Sequence, residues 1–168
     1  NKTWLDQANK VILEVNHGHP LALAGMHDIY YGTERPPHRK PIPMTDAGDH
    51  IGEPYLRCDP AKVIAIVETH LPDRDTRFTA PDEASRRIAG HLMDFLQNEV
   101  TQGRLPPELL PLQSGVGNIA NAVMESLNDG PFTGLQGYTE VLQDGMLALL
   151  KSGKMRMASS TAISLSSK

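Results

Sequence analysis

The sequence predicts an α/β fold of mostly parallel, open sheets with flanking helices. Short apolar segments at residues 10–15 and 62–68 are rich in β-branched residues and have the look of buried strands. From residue 109 onward, strand-like segments alternate with helical segments of about ten residues. Such alternation is typical of parallel strands joined by right-handed crossovers.

The first half of the chain is predicted to hold two strands separated by a long irregular connection. The strand at 10–15 ends in an Asn-His-Gly turn, and the apolar stretch after Pro20 predicts a short helix reaching Ile29. Residues 32–60 hold six of the 13 prolines and few apolar residues, which predicts a linker. The second strand follows at 62–68.

The second half is predicted to begin with a long helix. Residues 79–82 have the Thr-x-x-acid form of a helix start, and Gly103 ends the segment. The apolar face of this helix is predicted from the spacing of Ile88, Leu92, Phe95 or Leu96, and Val100. Strands at 109–113, 132–138 and 155–165 then alternate with helices at 119–127 and 142–150. The change of pattern places a domain boundary near residues 76–82.

Composition excludes several classes of protein. The 168 residues are 39% hydrophobic and 21% charged, and no apolar run approaches the roughly 18 residues of a membrane span. The net charge of −4 offers no basic field for a phosphate backbone. We therefore expect a globular protein with neither membrane nor nucleic acid as a partner.

The single cysteine, Cys58, excludes an internal disulfide and a cysteine-based zinc site. This fits a reducing compartment, so we expect a cytoplasmic protein in which Cys58 is a buried, inert thiol. No charged and apolar leader is visible at the start, and residues 160–167 alternate like a strand without a closing element. We expect a piece of a longer protein, with parts of its site elsewhere.

A glycine motif, Gly115-Val116-Gly117-Asn118-Ile119-Ala120, lies between a predicted strand and a predicted helix and matches G-x-G-x-x-G/A. Its glycines let the backbone pass close to a ligand, and the helix N-terminus offers N–H groups to an anion or a developing oxyanion. An acidic residue, Glu140, follows about twenty residues later, where a dinucleotide fold keeps its ribose-binding acid. Alone, this motif favours an NAD-dependent oxidoreductase, and a tight turn without a ligand remains an alternative.

Glu140 is a carboxylate at the carboxyl end of a predicted apolar strand, just before a helix. Ligands bind at that edge of open parallel sheets. The side chain could bind a ribose, act as a base or attack an acyl carbon. It could also be a first-turn helix acid that complements the helix dipole.

Other candidate motifs carry less chemistry. The group of His17, His19 and His27 with Asp28 superficially resembles a metal site, but it lacks a third ligand at characteristic spacing, so we predict no metal. Neither G-x-S-x-G nor G-x-x-x-x-G-K-[ST] occurs, which removes support for a serine hydrolase and for nucleoside triphosphate chemistry. Basic residues gather at 35–40, 74–87 and 151–156, and most are interpreted as solvated surface.

Five strings together resemble the acetyl-CoA hydrolase/transferase family. They are EVN at 14–16, GMHDIY at 25–30, LLPLQSGVGNIANAV at 109–123, YTEVLQDGM at 138–146 and ASSTAISLS at 158–166. The family comprises class I CoA-transferases such as succinyl-CoA:acetate and propionyl-CoA:succinate CoA-transferases. The resemblance implies a NagB/RpiA-like CoA-transferase fold with two related α/β domains. Residues 1–75 would be the C-terminal part of the first domain plus the proline-rich connection, and residues 76–168 the N-terminal part of the second, catalytic domain.

The resemblance also implies a site. Glu140 would attack the acyl-CoA thioester to give an acyl-glutamyl anhydride, which the released CoA converts to a glutamyl-CoA thioester. The family's CoA-contacting loop maps to Gln113, Ser114, Gly115, Val116 and Gly117. The backbone N–H of Val116 would be an oxyanion donor, and Arg74 would contact the substrate or CoA.

The substrates implied are acyl-CoA and small carboxylic acids, with coenzyme A as substrate, no permanently bound cofactor, and a homodimer when full length. Acyl-CoA hydrolysis would follow when water intercepts the intermediate. A carboxylate is a weak nucleophile, so its rate must come from orientation, on the order of 7–11 kcal/mol, and from each oxyanion donor, about 3–4 kcal/mol. The alternatives are an NAD-dependent oxidoreductase using the glycine motif and Glu140, and a non-catalytic α/β interaction module.

Overall fold

The computed structural model describes residues 2–72 and 79–166. The chain divides into two compact units, one formed by Asn1–Thr45 with Asp49–Arg74 and the other by Asp46–Gly48 with Asp75–Lys168. Each unit contains helical and parallel-strand segments, which confirms the predicted α/β class. None of the described helices combines the length and the apolarity needed to cross a bilayer.

The first unit contains one helix and a two-stranded sheet. Helix α1 spans Lys2–Gln7, strand β1 spans Val11–Asn16, and strand β2 spans Val63–Thr69. The strands are parallel, with Val11 opposite Val63 and Asn16 opposite Thr69. Both strands were predicted as buried, yet Ile66 is 64% exposed and the next residue, Val67, which lies on the opposite face of the sheet, is 46% exposed. The prediction of strands is confirmed and that of burial is wrong, because none of the described helices or other strands packs extensively on the faces of this sheet.

The helix predicted after Pro20 is wrong in extent, since only a single 3₁₀ turn forms at Leu21–Leu23. Leu21 is 91% exposed, so no burial stabilises a longer helix, and Gly25 adopts a positive φ of 84°. The connection that follows is irregular, as predicted. The carboxylate of Asp28 holds it by accepting hydrogen bonds from the backbone N–H groups of Ile51 and Gly52. Cys58 is a free, partly exposed thiol, not the buried one predicted.

The second unit is a strand–helix–strand unit with two further helices. The elements are α2 at Glu83–Thr101, α3 at Asn118–Asp129, β3 at Leu135–Leu142, α4 at Asp144–Lys151 and β4 at Met155–Ile163. Strands β3 and β4 are parallel and joined through α4, which packs against both. Helix α3 packs against α4 and against α2. The core between them consists of Leu109, Met124, Leu127, Phe132, Leu135, Leu142, Met146, Leu149 and Met155. Burial of each such side chain contributes about 1.5–3 kcal/mol.

Helix α2 begins later than predicted and turns a partly different face inward. Its N-cap is Asp82, whose carboxylate accepts a hydrogen bond of 2.8 Å from the Ser85 N–H. Of the predicted face, Leu96 and Val100 pack toward the core, whereas Ile88, Leu92 and Phe95 remain exposed, and Ala89 and Met93 lie inward instead. Two apolar stripes lie side by side on this helix, and helical spacing alone does not distinguish which one is buried.

The strand predicted at 109–113 reduces to a single parallel bridge between Leu112 and Gly137. Leu109 has a positive φ of 59°, and Pro111 has no N–H to donate to a ladder. Strand β3 also begins later and extends further than predicted, so that Glu140 lies within it.

Candidate functional site

Strand β3 presents Glu140 on an exposed face near its carboxyl end. Along this strand Gly137 and Thr139 are buried while Tyr138 and Glu140 are exposed, as the period of two requires. The alternative of a first-turn helix acid is wrong, because α4 starts only at Asp144. No ion pair among the described residues involves Glu140, so its carboxylate is available to a ligand.

The segment 113–117 runs beside this end of β3. It is anchored by Leu112, whose N–H donates to the Gln136 carbonyl at 2.8 Å and whose carbonyl accepts from the Tyr138 N–H at 2.8 Å. Two residues later the hydroxyl of Thr139 contacts both backbone groups of Ser114. The loop therefore lies at the carboxyl edge of the strand that carries Glu140, where open α/β sheets bind ligands.

The loop ends at the N-terminus of α3, which has Gly117 as its N-cap. The backbone of Gly117 has φ 131° and ψ 177°, a region that essentially only glycine adopts. The first N–H groups of a helix have no partner within the helix and carry its partial positive charge. This is the feature of the glycine motif that suits an anion or an oxyanion.

The two glycines of the loop serve different purposes. A Cβ added at Gly115 or at Gly117 would have no heavy atom within 4 Å, so neither glycine is required by crowding inside the chain. Gly117 is required by its backbone angle, whereas Gly115 has neither constraint. A glycine at 115 that the fold does not need is consistent with space kept for a ligand.

Three threonines stabilise the site through hydrogen bonds. The sequence had suggested no role for them there. Thr139 holds the loop, Thr161 donates to the Glu140 carbonyl at 2.7 Å, and Thr79 donates to the Asn118 side-chain oxygen at 2.8 Å. Threonine is an ordinary strand residue without a diagnostic spacing. Only its proximity to Glu140 and to the glycine loop could have singled out Thr139.

The remaining predicted residues lie elsewhere or outside the described part of the chain. Arg74 falls within residues 73–78 and is not described. The ring of His17 stacks on that of His70 with centroids 5.0 Å apart, and its Nε2 lies 3.8 Å from a Glu68 oxygen. No three His, Cys, Asp or Glu side chains within residues 2–72 and 79–166 form a group able to hold a metal ion.

The site is an open surface in this chain. Two basic residues that follow Glu140 in sequence have partners elsewhere, since Lys154 donates to the Gly130 carbonyl and Arg156 pairs with Asp46 at 3.6 Å. Near the C-terminal end of α2, a hydrogen bond from Arg104 lowers the pKa of Glu99. The arrangement offers an exposed carboxylate on the strand to which the glycine loop, leading into the N-terminus of α3, is hydrogen-bonded.

Comparison with known proteins gives strong similarity to enzymes of CoA chemistry. The chain is 46% identical over 162 residues to the succinyl-CoA:acetate CoA-transferase of Clostridium kluyveri, matching 96% of this chain and 30% of that protein. It is 49% identical over 155 residues to the acetyl-CoA hydrolase of Schizosaccharomyces pombe, matching 92% of this chain and 29% of that protein. The acetyl-CoA hydrolase of Saccharomyces cerevisiae is 47% identical over 165 residues, matching 98% of this chain and 31% of that protein. No protein-family model matches the sequence.

Solved structures share the fold. A variant of RipA superimposes with a TM-score of 0.57 at 22% identity, covering 92% of this chain and 26% of that one. The 4-hydroxybutyrate CoA-transferase of Porphyromonas gingivalis superimposes with a TM-score of 0.50 at 19% identity, covering 92% of this chain and 28% of that one. The chain spans about 30% of the length of the curated relatives that it matches. The chain is thus a homologue of proteins named succinyl-CoA:acetate CoA-transferase and acetyl-CoA hydrolase, similar to them over nearly all of its own length.

Proposed function

We propose that the full-length protein transfers CoA between an acyl-CoA and a small carboxylic acid through a covalent intermediate on Glu140. The observation that supports this most is the position of Glu140, exposed at the carboxyl end of β3 with the 113–117 loop fastened to the same strand. The names of the relatives, CoA-transferase and acetyl-CoA hydrolase, agree with such chemistry. They give no support to the NAD-dependent or non-catalytic alternatives.

The proposed reaction proceeds through two anhydrides. A carboxylate oxygen of Glu140 attacks the thioester carbonyl of the donor, forming an acyl-glutamyl anhydride and releasing the CoA thiolate. The thiolate then attacks the glutamyl carbonyl, giving a glutamyl-CoA thioester and the free donor acid. The acceptor carboxylate attacks this thioester and the same two steps run in reverse, which regenerates the Glu140 carboxylate.

The loop supplies the electrostatic part of this proposal. Each attack places negative charge on a carbonyl oxygen, which the Val116 N–H and the adjoining N-terminus of α3 are suited to stabilise. Gln113, Ser114, Gly115 and Gly117 would form the CoA contact around it. Arg74 would supply a cation for the substrate or CoA.

Hydrolysis is the companion activity of the same intermediate. Water attacking the glutamyl-CoA thioester gives CoA and the free carboxylate of Glu140, so that one site accounts for both kinds of name found among the relatives. We assign residues 1–75 to the C-terminal part of the first α/β domain and residues 76–168 to the N-terminal part of the second, catalytic one. The full-length protein would act in the cytoplasm as a homodimer on acyl-CoA and small acids.

The test is to trap the intermediate in the full-length protein. Incubation with acyl-CoA and no acceptor, followed by borohydride, should convert the Glu140 side chain to an alcohol, which peptide mass spectrometry detects within residues 137–147. Glu140→Ala should abolish both transfer and labelling, and Glu140→Asp should be severely impaired because placement supplies most of the rate.

A matched control is Glu125→Ala, which removes an exposed glutamate from α3 and should retain transfer and labelling. Near-normal transfer by Glu140→Ala would rule out the covalent assignment. An unmodified peptide together with NADH binding that quenches protein fluorescence would favour the dinucleotide alternative.

A further inference from the structure

The side chain of Thr139 bridges the strand of Glu140 and the glycine loop. Thr139 is only 7% exposed, and its Oγ1 accepts a hydrogen bond from the Ser114 N–H at 3.3 Å and donates one to the Ser114 carbonyl at 3.1 Å. A hydroxyl carries one donor and two acceptor sites, so one side chain serves both backbone groups of a single residue. Valine, which has nearly the same shape, would serve neither.

This contact replaces sheet pairing at the point where the loop departs. Leu112 is paired with β3 through two backbone hydrogen bonds of 2.8 Å, to Gln136 and from Tyr138. At Ser114, the next residue that faces β3, the Thr139 hydroxyl makes the connection instead. The Ser114 carbonyl also accepts from the Gln113 side chain at 3.0 Å, which further fixes this peptide group.

We propose that Thr139 is a positioning residue that sets the location of the Val116 N–H relative to Glu140; this rests on the function proposed above. Thr139 precedes the proposed nucleophile directly, and Ser114 lies two residues before the proposed oxyanion donor. The hydroxyl therefore links the two groups through a short path. Without it the loop remains attached at Leu112 and at α3, and the peptide group between them becomes free to shift.

The expected effect falls on turnover more than on binding of the acceptor acid. An oxyanion donor contributes to the rate only when it meets the developing charge, and misplacement by about 1 Å costs roughly 100-fold. In the full-length protein, Thr139→Val should lower kcat by about that factor and leave KM for the acceptor acid nearly unchanged. Thr139→Ser keeps the hydroxyl and should stay within a few-fold of the parent.

A control and a second measurement separate positioning from general stability. Thr101→Val removes another hydroxyl, one that donates to the Gln97 carbonyl at the end of α2, and should leave kcat unchanged. Peptide-level hydrogen exchange of Thr139→Val should be faster across residues 112–118 and unchanged across α2. This measurement needs no activity, so it also tests a variant whose turnover is too low to resolve.

The outcomes separate this inference from the function on which it rests. Normal kcat for Thr139→Val together with an inactive Glu140→Ala would overturn only the role of Thr139. An equal loss of kcat in Thr139→Val and Thr139→Ser would do the same, as would faster hydrogen exchange throughout the chain in Thr139→Val. Transfer that survives in Glu140→Ala would overturn the proposed function itself. A selective loss of kcat in Thr139→Val, recovered in Thr139→Ser, is the result we expect.

Discussion

Replacing Gly145 with alanine should destabilise the second unit by forcing α3 and α4 apart. A Cβ at this position would lie 2.5 Å from the Cβ of Met124 and 3.0 Å from its Cγ. Carbon atoms pack at about 3.5–4.0 Å, so one helix must move by about 1 Å. The Met124 Cβ is fixed by its helix backbone, and rotation of the side chain does not relieve the clash.

The magnitude follows from two opposing contributions. Overpacking of this kind costs about 1–3 kcal/mol, and replacing glycine by alanine in a helix returns about 0.5–1 kcal/mol. A matched control isolates the first contribution, because Gly90 lies inside α2 and a Cβ there would meet no atom within 4 Å. Gly90→Ala should therefore stabilise the chain while Gly145→Ala destabilises it.

Urea unfolding followed by far-ultraviolet circular dichroism measures this difference. With a slope of about 2 kcal/mol per molar urea, the midpoints of the two variants should differ by about 0.5–1.5 M. Because α3 begins at the glycine loop, Gly145→Ala should also lower kcat in the full-length protein, and Gly90→Ala should not. Equal midpoints would show that α3 and α4 are not in close contact at Gly145, and the packing argument would fail.

Local rules predicted much of the fold from the sequence. Helices α3 and α4 and strand β4 lie close to their predicted positions because period, glycine ends and β-branched runs act within a few residues. Gly103 and Gly153 have φ of 68° and 76°, the positive values that helix-ending glycines provide. These features need no information about the rest of the chain.

Other features depend on tertiary contacts and were missed. The sequence did not single out Ala89 and Met93 as inward residues of α2, because their burial depends on what packs against the helix. The predicted strand at 109–113 does not form, because Leu109 has a positive φ. The candidate site shows the same division. Glu140 and the loop were predicted from motifs, whereas the bridge from Thr139 to Ser114 joins residues 25 positions apart.

The remaining predictions concern the loop and the start of α2. Gly117→Val should cost about 1–3 kcal/mol through backbone strain at φ 131°, and in the full-length protein it should block the borohydride-trapped adduct. Gly115→Ala should change stability by less than about 0.5 kcal/mol, yet raise KM for acyl-CoA roughly tenfold or more if CoA occupies the space beside it; an unchanged KM would show that the loop is only a turn. The last prediction is a pH dependence. Hydrogen bonds from the Ser85 hydroxyl and N–H lower the pKa of Asp82 below its ordinary value. The folded state therefore binds this proton less readily than the unfolded state. The stabilisation that the ionised cap provides is fully present above the ordinary pKa of 3.8, and it is lost as the pH falls through the lower pKa of the folded state. Asp82→Asn keeps a capping oxygen without a titrating group, so the difference in urea midpoint between wild type and Asp82→Asn should narrow or reverse between pH 5 and pH 3. A difference that stays constant over this range would show that the charge of Asp82 does not stabilise α2.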